Sequence, residues 1–429
     1  MRKILLPLAF VCLTGNQAFA QAKDARSFYQ SGITAPAHLP EDGIFPHGRT
    51  MAFMGYSGDP ARDLAAGFTV AGPVYGDQLP YLEKCSSRGW PVVAHVGPRV
   101  TFKDGDPAKY KPDPPALRAE VAKQMADLVS RKNIIWWAIH PEELRPWRAD
   151  EMLYLETVAA AIRENDPLQR PVFLYNPNHR DAASLTPIAR HVDVVGKGSY
   201  VNSSGKKRDR AWVRWGIEQE LGAIQAAGRK GSIALLMPEL CQDPPPEEDK
   251  EISAWVRHDI YLGMASGAQG VNIWSLFKRR EVKRTWQIWY DAYSACAKEL
   301  NGPRGLSQVF LFGQRRSDFT ITSSSSSAAG TIELGGSMEP ETSSPQESAK
   351  RQVATPSWTS VEIAYENSRY IFLINSANHT ASFTLKGWPH GSIAEDAFTA
   401  SPRPLPSGSP LRIDLPAYGV SAFRFTTGS

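Results

Sequence analysis

The 429-residue chain is short of several things, and each shortage excludes a class of function. It has only four cysteines, Cys12, Cys85, Cys241 and Cys296, too few for a fold built on disulfides. Their spacing fits no metal motif, and no His-Glu-x-x-His pattern occurs, so neither a metal hydrolase nor any cofactor is expected. The formal net charge of +4 is too small to argue for nucleic acid. No glycine-rich phosphate fingerprint follows the first apolar segment, which counts against nucleotide binding. No apolar run is long enough to cross a bilayer.

What is present is a globular composition, 42% hydrophobic, with twelve Trp. Some of these rings suit stacking on sugars, and many will be core. The N-terminus reads as a cleaved export signal. Arg2 and Lys3 are its basic region, Ile4–Leu13 its apolar run and Ala18-Phe19-Ala20 its cleavage site, so 1-20 is the signal and the mature chain starts near Gln21. A secreted or periplasmic location follows. Once Cys12 is removed three cysteines remain. No disulfide is expected, and Cys241, beside Glu239, reads as a wall residue rather than a nucleophile.

From about residue 45 to 300, short apolar segments alternate with amphipathic ones. The strands are expected at Thr50–Gly55, Phe68–Val74, Pro91–Val96, Ile134–His140, Val172–Asn176, Val192–Gly196, Ile233–Met237 and Gly270–Leu276. Helices are expected between them at Pro60–Ala66, Asp77–Arg88, Pro115–Arg131, Asp150–Asn165 (with Asp150 as cap), Asp181–Arg190, Arg210–Gly228, Glu251–Ser266 and Thr285–Asn301. Eight repeats over about 250 residues predict a (β/α)₈ TIM barrel at 21-302, with an open doubly wound sheet as the runner-up. Beyond Pro303 the pattern changes to period-two alternation. Strands are expected at Gln308–Phe312, Phe319–Thr322, Ser360–Tyr365, Arg369–Asn375, Thr380–Leu385, Leu411–Leu415 and Ser421–Phe425. They predict a small antiparallel β-sandwich at 303-429. It is interrupted at about 323-350 by a Ser/Gly/Pro-rich flexible loop or long hairpin excursion. Its expected role is packing on the barrel, with carbohydrate binding as the second option.

In a barrel, residues just past the strand C-termini converge on one mouth. In chain order they are Tyr56 and Ser57; Tyr75 and Asp77; His95; His140, Glu142, Glu143, Arg145 and Trp147; Asn176, Asn178 and His179; Lys197 and Tyr200; Glu239; then Trp274, Lys278, Arg279 and Arg280. A purely structural barrel has no reason to collect so many acids, bases and aromatics on one rim. Two of the segments stand out. Asn133–Glu143 and Ile233–Gln242 are each an apolar strand ending in carboxylate, on the fourth and seventh of eight strands. Two carboxyl groups, one to protonate the leaving oxygen and one to attack the sugar or activate water, are what glycosidic cleavage needs.

In this architecture and at these two positions the chain resembles the clan A superfamily of retaining barrel glycoside hydrolases. The resemblance covers about 45 to 300, and no particular family is identified. It implies Glu239 as nucleophile and Glu142 or Glu143 as acid/base. The usual fourth-strand signature is Asn followed directly by Glu; here His140-Pro141 precedes Glu142-Glu143. Glu142, nearer the strand end, is preferred, with Glu143 pairing with Arg145 or Arg148. Tyr75, Asp77, His95, His140, Asn176, Asn178, His179, Lys197, Tyr200 and Trp274 are the expected substrate-binding residues. Trp136 and Trp137 are adjacent on one strand, so at most one faces the barrel interior. Lys197 and the Lys278-Arg279-Arg280 run suit an anionic glycan. Two other readings stay open: a non-catalytic carbohydrate-binding barrel, and a polysaccharide lyase or hydrolase using Tyr200 and His179.

Overall fold

The computed structural model describes residues 50–427, except 75–76, 104–105, 107–108, 203–208, 230, 324–329, 336–342, 389–391 and 406–409. The expected export signal and Tyr75 lie outside the described residues.

Seven parallel strands form one sheet: β1 (Phe53–Gly55), β2 (Val92–Val96), β3 (Ile134–Ile139), β4 (Val172–Asn176), β5 (Val194–Gly198), β6 (Ile233–Met237) and β7 (Val271–Ile273), in the order β1-β7-β6-β5-β4-β3-β2. All are buried along their whole length, as parallel strands between a core and a helix layer must be. The expected second strand at Phe68–Val74 is reduced to a single bridge from Ala71 to Val92. It still fills the gap. Thr69 donates its N–H to the Phe53 carbonyl at 2.9 Å, and Ala71 donates to the Pro91 carbonyl at 2.8 Å. Pro73 has no N–H to extend the ladder. Gly72 is needed because a Cβ there would lie 2.0 Å from the Gly55 carbonyl oxygen. Counted with this segment, the wall has eight staves, and β3 and β6 are the fourth and seventh.

The helices are α1 (Pro60–Ala65), α2 (Leu79–Ser86), α3 (Pro114–Ala126), α4 (Ala149–Asn165), α5 (Ala182–Ala189), α6 (Trp212–Ala226), α7 (Ile252–Ser266) and α8 (Trp286–Asn301). Asp113 caps α3 through the Ala116 N–H ahead of Pro114, and Asp181 caps α5 through the Ser184 N–H. The expected cap of α4, Asp150, instead sits in its first turn, with Arg148 at the cap position. Gly267, at φ 119°, ends α7 in the left-handed conformation.

After α8 the expected strand at Gln308–Phe312 is a helix, α9 (Leu306–Phe312). Its run Val-Phe-Leu-Phe suits either period, and burial of Leu306 and Val309 three residues apart settles it as helical. Then come β8 (Gln314–Arg316), β9 (Thr320–Ser323), β10 (Gly330–Leu334), α10 (Pro345–Ser348), β11 (Arg351–Thr355), β12 (Trp358–Tyr365), β13 (Ser368–Asn375), β14 (Ala381–Lys386), β15 (Ser392–Asp396), β16 (Pro402–Arg403), β17 (Leu411–Leu415) and β18 (Val420–Thr427). A six-stranded antiparallel sheet (β16-β15-β18-β13-β12-β8) faces a three-stranded one (β17-β14-β9). Ile371, Leu373 and Phe423 meet Phe383, Leu385 and Leu415 between them. The opposite face of β13 packs on the barrel: Phe372 lies 4.4 Å from the Phe310 ring and 6.2 Å from Tyr261 of α7. Burying such a side chain contributes roughly 1.5–3 kcal/mol. Both faces of β13 are therefore covered, which explains its unbroken run Tyr370-Ile-Phe-Leu-Ile. In the Ser/Gly/Pro-rich stretch, β10 pairs as a ribbon with β11, just beyond it, and α10 returns to the barrel, where Glu347 meets Arg180 at 2.8 Å.

Candidate active site

Aromatic side chains from four strand ends form a wall around a carboxylate from a fifth. Tyr56, just past β1, donates its hydroxyl to Glu142 Oε1 at 2.5 Å. Trp274, past β7, stands edge-on to Tyr56 at 5.1 Å and stacks on Tyr175 of β4 at 6.3 Å and 14°. Tyr200, past β5, donates to the Tyr175 hydroxyl at 3.1 Å. Burial pushes both the Tyr175 and Tyr200 phenols well up, with Glu143 and Glu142 adding to the first and Tyr175 to the second, so both keep their protons as donors. Glu142 is half-buried. It follows a cis His140–Pro141 peptide, and the Trp274–Ser275 peptide is also cis.

Glu239 extends the seventh stave one bridge beyond β6, beside Trp274. The Trp274 N–H donates to the Pro238 carbonyl at 2.9 Å and the Leu240 N–H to the Trp274 carbonyl at 2.6 Å. Glu239 is 4% exposed. Its Oε1 accepts the N–H groups of Val201 at 3.0 Å and Asn202 at 2.5 Å, while Tyr293 holds its carbonyl at 2.7 Å. Arg210 lies behind it, bound to Asp259 and, at 3.1 Å, to Asn202 Oδ1. Burial opposes the Arg210 charge, but Asp259 and, to a smaller extent, Glu239 outweigh it and raise its pKa.

Glu143 is exposed, with a left-handed φ of 61°, and its N–H donates to the Tyr175 carbonyl at 3.2 Å. Of the two candidate acids, Glu142 is the one built into the wall. Of the two partners expected for Glu143, Arg145 and Arg148, Arg145 also pairs with Glu151 at 2.6 Å.

His95 of β2 and His140 touch ring to ring through Nδ1 and Nε2. Gln78 clamps the His95 backbone from both sides, donating at 2.7 Å and accepting at 2.8 Å. Burial lowers both imidazoles; His140 and Arg99 push His95 further down, and Arg99 brings His140 to about 4. The pair is neutral near pH 7. With Asp77, Arg99 and Gln124 it lines a cavity of about 520 Å³ on the rim between the third and fourth staves. Asp77 is exposed and accepts the Leu79 N–H at 3.0 Å, so it also serves the start of α2.

Four expected binding residues are placed differently. Lys197 points outward into the helix layer, its Nζ 4.5 Å over Trp215 and 5.5 Å over Trp212. Side chains alternate along β5; Gly196 and Gly198 face inward against Met237 and Tyr175, which leaves Lys197 on the outer side. Asn176 is fully buried and donates to the Leu174 and Gly196 carbonyls at 3.1 Å each, tying β4 to β5. Asn178 accepts from the Trp212 indole at 2.6 Å and donates to the Tyr200 carbonyl at 3.2 Å, so it braces two loops. His179 turns to Ser343 at 3.1 Å, under the segment that leads into α10. Of the tryptophan pair, Trp137 faces the helices, donating to Asp166 at 2.8 Å beneath Arg170. Trp147 is exposed, with buried Arg180 4.6 Å from one face of its ring.

Tyr56 stood among the strand-end residues, but its tie to Glu142, 86 positions away, had no local signal. Tyr175 was missed because it reads as one more apolar member of a buried strand. Its parity with the strand's inner face was the available clue.

No family model matches the chain, and no curated protein matches it. Among solved structures it is similar to AmyP in complex with maltose (10% identity, TM-score 0.48, covering 89% of this chain and 96% of that one). It is also similar to a glycoside hydrolase family 30 endoxylanase from Clostridium papyrosolvens (14%, 0.43, 88% and 97%). A third is a family 27 β-L-arabinopyranosidase from Geobacillus stearothermophilus (9%, 0.47, 81% and 77%). The likeness is one of fold: a curled parallel sheet with its helices, followed by antiparallel sheets.

Proposed function

We propose that the chain is an exported glycoside hydrolase that cleaves an oligo- or polysaccharide by a retaining double displacement. Glu142 serves as acid/base and Glu239 as nucleophile. The observation that carries this reading is the setting of Glu142: a half-buried carboxyl bonded to Tyr56 in a wall of Trp274, Tyr175 and Tyr200. Flat aromatic faces suit the apolar faces of a sugar ring. Glu239 arrives from the seventh stave with Oε1 held by two backbone N–H groups, which fixes the orientation of the carboxylate that attacks the anomeric carbon. Water then hydrolyses the glycosyl-enzyme with Glu142 acting as base. The export signal expected at 1-20 agrees with a substrate outside the cell.

The test is a screen of glycans followed by proton NMR of the first-formed anomer. Retained configuration is expected. With the Glu239→Ala variant, added azide is expected to yield a glycosyl azide. Inverted product, or an unchanged rate in Glu239→Ala, would overturn the assignment. The non-catalytic reading expects oligosaccharide binding with no turnover by the wild type on any glycan.

A further inference from the structure

We propose that the rim beyond β7 is a subsite for an oxyanion substituent on the glycan, either a sulfate ester or a carboxylate. The inference takes its ligand class from the glycosidase reading. The site itself rests on charge and geometry.

Lys278, Arg279, Arg280 and Lys283 fall within six residues and, together with Trp286 and Gln287, line a cavity of about 340 Å³. Arg280 is paired with exposed Glu281 at 2.8 Å. Glu281 also lies within reach of the Arg279 charge, but among the described residues no carboxylate forms a salt bridge with Lys278, Arg279 or Lys283. The nearby acids are taken: Asp243 by Thr285 at 2.9 Å, and Asp249 by Arg284. Solvated basic faces are common, but this one has a floor. Trp286 is 4% exposed, with the Lys278 Nζ 4.6 Å over its ring. Lys278 and Lys283 are themselves exposed, so they can meet a ligand without unfolding anything.

Arg279 links this cavity to the mouth. Its guanidinium lies 4.6 Å over Trp274, the ring that stacks on Tyr175, and its Nε donates to Ser275 Oγ at 3.0 Å. Arg279 also lines the basic cavity, and its planar array of N–H donors suits a carboxylate or sulfate in two-point contact. Lys278 and Lys283 add point charges. A sugar held in the mouth beside Trp274 would thus carry its acidic group toward Arg279 and the basic cavity. The Lys197 contribution once expected is absent, because that side chain lies in the helix layer.

The test uses the full chain and four probes: inorganic sulfate, a sulfated oligosaccharide, a uronate oligosaccharide and the neutral parent sugar. Binding is read by calorimetry at low and high NaCl, for the wild type and the Lys278→Gln/Lys283→Gln double variant. At low salt the wild type is expected to bind at least one acidic oligosaccharide tenfold or more tighter than the neutral one. That preference should shrink in high salt and be lost in the double variant, with its thermal midpoint kept. Which acidic probe is preferred distinguishes sulfate from carboxylate. Equal affinity for acidic and neutral sugars, a preference that survives in the double variant, or no binding of any probe would overturn the subsite. Acidic preference without turnover would leave the subsite standing and sink the glycosidase reading; turnover of neutral glycans alone would do the reverse.

Discussion

Tyr56 and Glu142, 86 residues apart, are joined by a 2.5 Å hydrogen bond from the phenol to Oε1. The first comes from the first stave and the second from the fourth, so the bond spans the mouth. A hydrogen bond to a charged group contributes about 1.5–3 kcal/mol. Tyr56→Phe keeps the ring against Trp274 and removes only the donor. Its kcat/KM is expected to fall about tenfold to a hundredfold, with the melting temperature little changed. Steady-state kinetics beside a thermal melt checks this; an unchanged rate would detach Tyr56 from the chemistry.

The adjacent glutamates should separate cleanly. Glu142 is in the wall, whereas Glu143 is exposed on a left-handed backbone. General acid–base groups typically contribute about a hundredfold to ten-thousandfold. Glu142→Gln is expected to lose that much on glycans with poor leaving groups and far less on activated aryl glycosides. Glu143→Gln should stay within a few-fold of wild type on both. The opposite pattern would move the acid role one residue along.

Glu239 asks for a careful choice of variant. Two backbone N–H groups, of Val201 and Asn202, point at its carboxylate. Glu239→Ala leaves both without an acceptor, at about 1–3 kcal/mol each when buried. Glu239→Gln keeps an oxygen there. Both variants are expected to lose activity by several orders of magnitude, and only the alanine variant should melt markedly lower. Chemical denaturation of the pair, run alongside activity, separates the two effects.

The alternation of apolar strands and amphipathic helices was enough to order the staves and to put carboxylates on the fourth and seventh. That signal is local, repeated and strong. Which way a single side chain points is weaker information, because it turns on parity. Lys197 sits between two glycines on β5, and a one-residue phase decides whether it faces the mouth or the helices. The second stave was legible as apolar sequence but not as a bridge held by Thr69 and Ala71, since Gly72 and Pro73 act through backbone contacts. His179 was read as a rim residue because nothing local reveals that the segment near Ser343, 164 positions on, covers it.

Lys197 therefore has a different expected phenotype from a binding residue. It is fully buried over Trp212 and Trp215, and its charge partly offsets the burial that pushes the Glu220 carboxyl well up. A cation held over a desolvated aromatic face contributes about 2 kcal/mol or more. Lys197→Met is expected to lower stability by that order and leave KM for any glycan unchanged. A raised KM at unaltered stability would return Lys197 to the mouth.

The neutral histidine pair makes stability depend on pH in a defined direction. Burial, assisted by Arg99, lowers His140 to about 4, below the value of about 6.5 for an unfolded chain. Between those values the unfolded chain takes up a proton that the folded chain refuses. Stability therefore rises with pH across the window and is lost as pH falls from about 6.5 toward 4. His95, lowered in the same direction by burial and then by His140, adds to the slope. His140→Gln removes one titrating group and returns an amide able to bond to His95. Its melting temperature should fall less steeply than that of wild type between pH 6.5 and 4, while the two curves run parallel above pH 7. Parallel curves throughout would mean that the pair holds a proton in the folded chain, and that one imidazole enters the mouth as a cation.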